Sequence, residues 1–147
     1  MKLTKNFDDS EIKCPCCGDK NIRLAIMEIA QQIRDELGIP IYVPEGGGKR
    51  CLAYQNTIGD YPSAHTSGEA IDIYTKPANI QNMLKLGYIG RELGANRIGF
   101  YPEYSCKSVH LDLWQPSPSE AWVRTKRGYI YFKYFEEAVC YVKKNYL

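Results

Sequence analysis

The 147-residue sequence lacks any long apolar run. No stretch approaches the ~18 to 20 consecutive apolar residues that a helix needs to cross a bilayer. The first nine residues also lack the apolar core of a secretory signal peptide. We therefore expect no membrane span, and a chain that stays in the cytoplasm until something releases it.

An excess of charge of one sign is also missing. The chain has 19 basic and 17 acidic residues and a net charge of +2. This balance is far from the strongly basic signature of nucleic-acid-binding proteins, so we expect no nucleic-acid partner. With 44% hydrophobic and 24% charged residues, the composition excludes disorder as the main state. The length predicts a single domain over residues 1–147, which we expect to be a monomer.

Cysteine, by contrast, is abundant. Three of the six cysteines lie within residues 14–18, whereas Cys51, Cys106 and Cys140 stand alone. Since no secretion signal is found, reduced thiols are the default expectation. The isolated cysteines do not provide the second close pair that a zinc ribbon requires. A small metal site or a disulfide knot built on the first cluster both remain open.

Helical periodicity is clearest near the N-terminus. The apolar stripe predicts a helix from about Asn21 that Gly38 ends, and its members are Ile22, Ile26, Ile29, Ile33 and Leu37. A second helix is predicted over residues 80–93. A third, amphipathic helix is predicted near the C-terminus, with one apolar side formed by Phe135, Val139, Val142 and Tyr146.

Alternating apolar and polar residues predict strands over residues 70–74, 97–101 and 108–114. A short strand over 39–43 and a hairpin around residues 127–128 complete the pattern. Between them, the glycines of residues 45–50 predict a flexible segment that turns or approaches another group closely, and a polar loop is predicted through Asn56, Gly59, Asp60 and Pro62. The mixture predicts an α+β domain, with a small, mainly antiparallel sheet and helices on one side.

Histidine is scarce, because the chain has only His65 and His110. His65 precedes Asp72 in a polar segment, and His110 lies beside Asp112 on the polar face of a predicted strand. Two imidazoles and one carboxylate suit a catalytic zinc, since three ligands leave a fourth position for water. The same set also forms the iron site of non-haem oxygenases. Those enzymes, however, would place the remaining histidine after His110, and His65 comes before it.

The motifs themselves resemble a known family. S-x-H-x-x-G-x-A-x-D at residues 63–72, G-x-Y-P at 99–102 and V-H-x-D at 109–112 resemble the zinc D-Ala-D-Ala carboxypeptidases and related phage endolysins. That peptidase family shares its fold with the hedgehog signalling domain. The resemblance spans about residues 7–114. It leaves residues 115–147 as a C-terminal extension, which we expect to pack on the domain in a structural role.

The resemblance implies a function and a set of site residues. One zinc ion per chain would be bound by His65, Asp72 and His110, while Arg50 pairs with a substrate carboxylate and Ser63 helps to polarise the site. Arginine suits that role because its planar fork donates two parallel hydrogen bonds. The implied reaction is hydrolysis of peptide bonds in bacterial peptidoglycan, by a carboxypeptidase or by an endolysin-type endopeptidase.

This chain differs from the family at the position of the general base. Several members carry an acidic residue three positions before the last histidine, where this chain has Lys107. Asp112 is the first candidate base because strand alternation puts it on the face of His110. Glu103 is the second, since hedgehog-like relatives carry a glutamate in a similar loop. Either residue could instead orient His110. Without a base, the scaffold would be a non-catalytic, zinc-containing module that binds cell wall or protein.

Overall fold

The structure, a computed structural model, describes residues 1–59 and 63–147. Its α-helices are α1 (Leu24–Leu37), α2 (Leu52–Ile58), α3 (Ile80–Glu92) and α4 (Phe135–Tyr146). Its strands are β1 (Ile41–Tyr42), β2 (Ala70–Thr75), β3 (Arg97–Phe100), β4 (Val109–Asp112), β5 (Ala121–Thr125) and β6 (Gly128–Phe132). Within these described ranges, no helix combines the length and the apolar character needed to cross a bilayer.

The strands form one sheet with the order β1-β2-β4-β3-β5-β6. Neighbouring strands are antiparallel, except that β3 and β5 run parallel. The predicted α+β class with a mainly antiparallel sheet is therefore confirmed. The C-terminal extension adds β5 and β6 to the edge of this sheet and packs α4 against both strands.

One face of the sheet is covered by helices, and the other carries polar side chains. Helices α1 and α3 contact β2, while α4 contacts β5 and β6. The face that they cover is apolar and fully buried, and its residues include Ile71, Ile73, Ile98, Phe100, Val109 and Leu111. Because side chains alternate along a strand, the residues between them point to the opposite face. Asp72, His110 and Asp112 are thereby brought together on that opposite face.

Helix α1 begins three residues later than predicted. The N–H of Arg23 donates to the carbonyl of Gly68 (2.8 Å), so the chain before Leu24 is bound to the loop that follows His65. The helix ends at Gly38, whose φ of 73° is the left-handed conformation that glycine adopts at low cost. The apolar stripe correctly predicts the buried side, where Ile26, Ile29 and Ile33 lie.

Helix α2 occupies part of the predicted polar loop, which is a correction. Asn56 lies within this helix, Gly59 follows its last residue, and Asp60 and Pro62 lie outside the described residues. The buried residue of this helix is the polar Gln55. The segment therefore has no apolar stripe from which the helix could be predicted. The helix begins after Cys51, whose sulfur accepts a hydrogen bond from the N–H of Tyr54 (3.4 Å).

The glycine segment at residues 46–48 is packed beneath β2. All three glycines are buried, and the carbonyl of Gly47 accepts a hydrogen bond from the N–H of Asp72 (2.7 Å). A Cβ atom on Gly48 would lie only 2.6 Å from the Cα of Ile12. These glycines provide the predicted close approach of the backbone. Hydrogen bonds hold the segment in place.

Gly99→Ala tests the packing of the polar face. Gly99 lies opposite both His110 and Trp122 in the sheet, and an added Cβ would lie 2.5 Å from Trp122 Cε2. We expect the substitution to lower the free energy of unfolding by about 1–3 kcal/mol because it overpacks this position. Urea unfolding followed by tryptophan fluorescence measures the change.

The control repeats Gly99→Ala in a Trp122→Leu background, where the indole that blocks the new methyl group is gone. The loss of unfolding free energy caused by the alanine should then shrink, giving a measurable coupling between the two sites. An equal loss in both backgrounds would contradict this account of the packing.

Candidate metal centre

Three side chains from separate segments converge on the polar face of the sheet. Asp72 in β2 lies directly opposite His110 in β4, and His65 approaches from the loop before β2. The distance from Asp72 Oδ1 to His110 Nδ1 is 3.1 Å, and that from Asp72 Oδ1 to His65 Nε2 is 3.3 Å. The two ring nitrogens, His65 Nε2 and His110 Nδ1, are 3.2 Å apart. The three atoms form a nearly equilateral triangle.

This triangle has the dimensions of a zinc site. Nitrogen and oxygen ligands about 2.0–2.1 Å from a tetrahedral zinc ion lie roughly 3.3 Å from one another. The three donor atoms match that separation and are all chemically suited to zinc. Three protein ligands also leave one tetrahedral position for water or substrate, which is the arrangement of catalytic zinc sites.

The outer nitrogen of each imidazole has a hydrogen-bond partner that fixes its tautomer. His65 Nδ1 lies 2.8 Å from the carbonyl oxygen of Gly48, and a carbonyl can only accept. His110 Nε2 lies 2.7 Å from Asp112 Oδ2. Both rings therefore direct an unprotonated nitrogen into the triangle when they are neutral. Such partners are typical of metal-binding histidines, since they fix the ring orientation.

The pKa values in the triangle determine how readily it takes up a cation. Although burial would lower the pKa of His110, its hydrogen bonds to Asp112 and Asp72 raise it, so zinc would displace a proton from this imidazole. Burial lowers the pKa of His65, which favours the neutral imidazole that binds metals. Although burial alone would raise the pKa of Asp72, its contacts with His65 and His110 lower it below the ordinary range. Asp72 is therefore ionised, and it adds the negative charge that a divalent ion needs.

Asp112 lies behind His110 rather than in front of it. Its carboxylate is fully buried and accepts hydrogen bonds from Arg97 Nη2 (2.7 Å) and from the N–H of Trp114 (3.0 Å). Burial would raise the pKa of Asp112, but its contacts with His110 and Arg97 lower it. These contacts favour the alternative in which Asp112 orients His110 over the prediction that it is the general base.

Glu103 and Lys107 lie in the loop between β3 and β4. Glu103 is exposed and accepts a hydrogen bond from the hydroxyl of Tyr146 (2.9 Å), and it is not among the described residues that line the pocket. Lys107, which occupies the position of the family's acid, donates from Nζ to the carbonyl of Pro102 (3.0 Å). The contacts of Glu103 thus give no support to its prediction as a base.

Arg50 and Ser63 both contact Gln55 of α2. Arg50 donates to Gln55 Oε1 (3.1 Å), to the carbonyl of Gly46 (2.7 Å) and to Asp72 Oδ2 (3.3 Å). Ser63 donates to the same Gln55 oxygen (3.2 Å) and accepts from the N–H of His65 (3.2 Å). The sequence does not predict Gln55 as a site residue, because its sequence pattern is that of any polar residue. Its burial on a short helix is visible only in the structure.

A pocket of about 440 Å³ opens over the triangle. Its walls are strongly aromatic, and they include Tyr101, Tyr104, Trp114, Trp122, Tyr129 and Tyr131. Tyr129 and Tyr131 belong to β6 of the C-terminal extension, which therefore contributes to the pocket as well as to the sheet. Besides Asp72, Glu45 is a carboxylate among the described residues that line this pocket.

Tyr101 keeps its proton at neutral pH. Burial and the negative charge of Asp72 raise the pKa of its hydroxyl well above the ordinary value. The hydroxyl oxygen accepts a hydrogen bond from Trp122 Nε1 (3.1 Å), which holds the phenol at the pocket wall. Tyr101 is therefore a neutral hydrogen-bond donor close to the candidate ligands.

A comparison with known protein families bears on the reaction class. A family model described as Peptidase M15 matches residues 5–112. No curated protein matches the chain. The matched region contains Arg50, Ser63 and all three residues of the triangle, while β5, β6 and α4 lie beyond it. Because the match covers most of the chain, this protein belongs to the peptidase M15 family, whose members are zinc-dependent peptidases.

Proposed function

We propose that this protein is a zinc metallopeptidase that hydrolyses peptide bonds in bacterial peptidoglycan. The observation that carries the proposal is the triangle of His65 Nε2, Asp72 Oδ1 and His110 Nδ1, whose 3.1–3.3 Å edges fit three corners of a tetrahedral site. The membership in a peptidase family supports the reaction class. All three proposed ligands come from one chain, so a monomer suffices for the site.

In this proposal, one zinc ion is bound by His65, Asp72 and His110. When bound, zinc polarises a carbonyl oxygen and lowers the pKa of a coordinated water toward ~7. The carbonyl of Gly48 and the carboxylate of Asp112 hold the two imidazoles in the binding tautomer. Asp112 is thus a positioning residue, and Arg97 keeps it charged and fixed.

The transition state of amide hydrolysis carries negative charge on the former carbonyl oxygen, and Tyr101 is a suitable donor to it. Its hydroxyl lines the pocket and stays protonated because of its raised pKa. Its position is held by Trp122, so the donor is already oriented before substrate binds. Ser63, hydrogen-bonded to the N–H of His65, supports the loop that carries this ligand.

A proton must be moved from the attacking water to the leaving amine. Asp112 is engaged with His110 and Arg97, and Glu103 with Tyr146. Glu45 is the carboxylate that remains among the described pocket residues once Asp72 is assigned as a ligand. We therefore assign proton transfer to Glu45, which replaces both Asp112 and Glu103 as the candidate base.

Arg50 is the proposed partner of a substrate carboxylate. Three of its N–H groups are committed to Gly46, Gln55 and Asp72, which fixes the plane of the guanidinium at the pocket. An arginine has five N–H groups, so donors remain on both terminal nitrogens. A peptide carboxylate bound there would hold the chain in the aromatic pocket, and this arrangement favours a carboxypeptidase over an endopeptidase.

The proposed substrate is part of the bacterial cell wall. A net charge of +2 is mildly favourable for approach to an anionic polymer. The tyrosine and tryptophan walls offer both apolar faces and hydrogen-bonding groups to a peptide.

One observation favours a second candidate function, that of a non-catalytic binding module. Lys107 stands where several family members have an acidic residue, and its ammonium group is bound to the Pro102 carbonyl. Such a module would bind peptidoglycan without cutting it. Release of new amino groups from purified peptidoglycan distinguishes the two functions, since a binder retains the polymer and releases none.

Asp72→Asn tests the proposed metallopeptidase directly. An amide is a poorer zinc ligand than a carboxylate, so we expect loss of the triangle's zinc and of hydrolysis, measured by elemental analysis and by mass spectrometry of digested peptidoglycan. Asp35→Asn makes the same change on an exposed residue of α1 and should leave both unchanged. Full hydrolysis by the Asp72 variant would refute the proposed site.

Glu45→Gln tests the proton-transfer role. We expect kcat to fall by about 10²- to 10⁴-fold, the usual contribution of general acid–base catalysis, while zinc content stays unchanged. Asp112→Asn should instead lower zinc affinity by about 10- to 100-fold, as expected for a residue that orients a ligand.

Glu103→Gln is the matched control for Glu45→Gln, and it should retain wild-type kcat. If it loses activity while the Glu45 variant keeps it, proton transfer belongs to Glu103 and our assignment is wrong.

Terminal amidation of the substrate tests Arg50. If Arg50 binds the terminal carboxylate, an amidated peptide should show a KM about 10- to 100-fold higher, which corresponds to the loss of a charge-assisted hydrogen bond worth roughly 1.5–3 kcal/mol. In Arg50→Gln, the free and amidated peptides should have similar KM values. Equal KM values in the wild-type protein would contradict the carboxylate role and indicate an endopeptidase.

A further inference from the structure

A second group of metal-binding side chains lies apart from the triangle. The sulfur atoms of Cys14, Cys17 and Cys51 lie within 4.8 Å of one another. Cys14 is buried and Cys51 is half-buried, whereas Cys17 is exposed. We propose that these three cysteines bind a second zinc ion, in a structural site. The proposal does not depend on zinc at the His65, Asp72 and His110 triangle.

The local backbone has the form that thiolate sites use. Cys14 and Cys17 are separated by two residues, a spacing typical of zinc-binding cysteine pairs. Gly18 follows with a φ of 76°, and its N–H donates to the carbonyl of Cys14 (2.8 Å), which closes a tight turn. This turn directs both sulfur atoms toward Cys51, which lies 37 positions further along the chain from Cys14.

Backbone N–H groups donate to two of the sulfur atoms. The N–H of Cys51 lies 3.3 Å from Cys14 Sγ. Cys51 Sγ likewise accepts from the N–H of Tyr54. Donors around a sulfur stabilise the thiolate, which is the form that binds zinc.

Cys16 lies between Cys14 and Cys17 in the sequence, and its thiol contacts the Cys51 side chain. It is therefore the candidate for the fourth ligand. A tetrahedral zinc ion with four sulfur ligands forms a closed site, and such sites are structural rather than catalytic. Each thiol releases its proton to solvent when its sulfur binds zinc.

The position of this cluster suggests what the ion stabilises. Cys51 lies next to Arg50 and immediately before α2, which carries Gln55 to the pocket. The other three cysteines belong to the N-terminal segment before α1. A zinc ion would therefore cross-link the N-terminal segment to the part of the chain that holds Arg50.

Cobalt substitution tests the site without any measurement of activity. The full chain is purified under reducing conditions, stripped with a chelator and titrated with Co²⁺ alone. Thiolate ligation gives an intense sulfur-to-cobalt charge-transfer absorption in the near ultraviolet, which nitrogen and oxygen ligands do not give. We expect this absorption in the wild-type protein and in His110→Ala, and we expect it to be lost or strongly reduced in Cys17→Ser. Because the wild-type spectrum reports the ligands directly, the result stands even if a variant unfolds.

Cys140→Ser is the matched control, since Cys140 is exposed on α4 and the chemical change is the same. It should keep the absorption and the wild-type zinc content, whereas Cys17→Ser should bind one zinc ion fewer per chain than the wild-type protein. Absence of the absorption in wild-type protein would overturn the proposal. An intact mass lower by two hydrogens would do so as well, because it would identify a disulfide.

Discussion

The pairing of β2 with β4 is the constraint on which the rest of this structure depends. Its register sets Asp72 directly opposite His110 and, on the other side of the sheet, Ile71 opposite Leu111. A shift by one residue would turn the two polar side chains into the core and the apolar ones into the pocket. The hydrophobic core and the candidate metal centre are thus fixed by the same set of backbone hydrogen bonds.

The glycine segment links this register to the remaining site residues. Three successive carbonyls, at Gly46, Gly47 and Gly48, accept hydrogen bonds from the Arg50 side chain, the Asp72 backbone and the His65 ring. Side chains at these positions would block the contacts, since a Cβ on Gly48 would collide with Ile12 and one on Gly46 with Tyr54. This backbone segment therefore positions His65, the strand that carries Asp72, and Arg50, the proposed substrate-binding arginine.

Much of this arrangement can be predicted from the sequence. Alternation in β2 and β4 predicts which face holds Asp72 and His110, and helical periodicity predicts the buried side of α1, because each pattern repeats with the geometry of its element. The family resemblance adds His65 and Arg50, which periodicity does not find. The pairing of His110 with Asp112 follows from strand alternation, since both side chains lie on one face.

The rest depends on contacts between distant segments that no local pattern encodes. Helix α2 lacks an apolar stripe, so hydrophobic periodicity does not predict that Gln55 is buried. Arg97 of β3 binds Asp112 of the neighbouring β4, and Tyr129 reaches the pocket from β6, which joins the sheet through β5.

The most direct test of the central claim is a crystal structure with anomalous data at the zinc edge. The account predicts a zinc peak about 2.0–2.1 Å from His65 Nε2, Asp72 Oδ1 and His110 Nδ1; a zinc-loaded crystal with no peak among these atoms would contradict it.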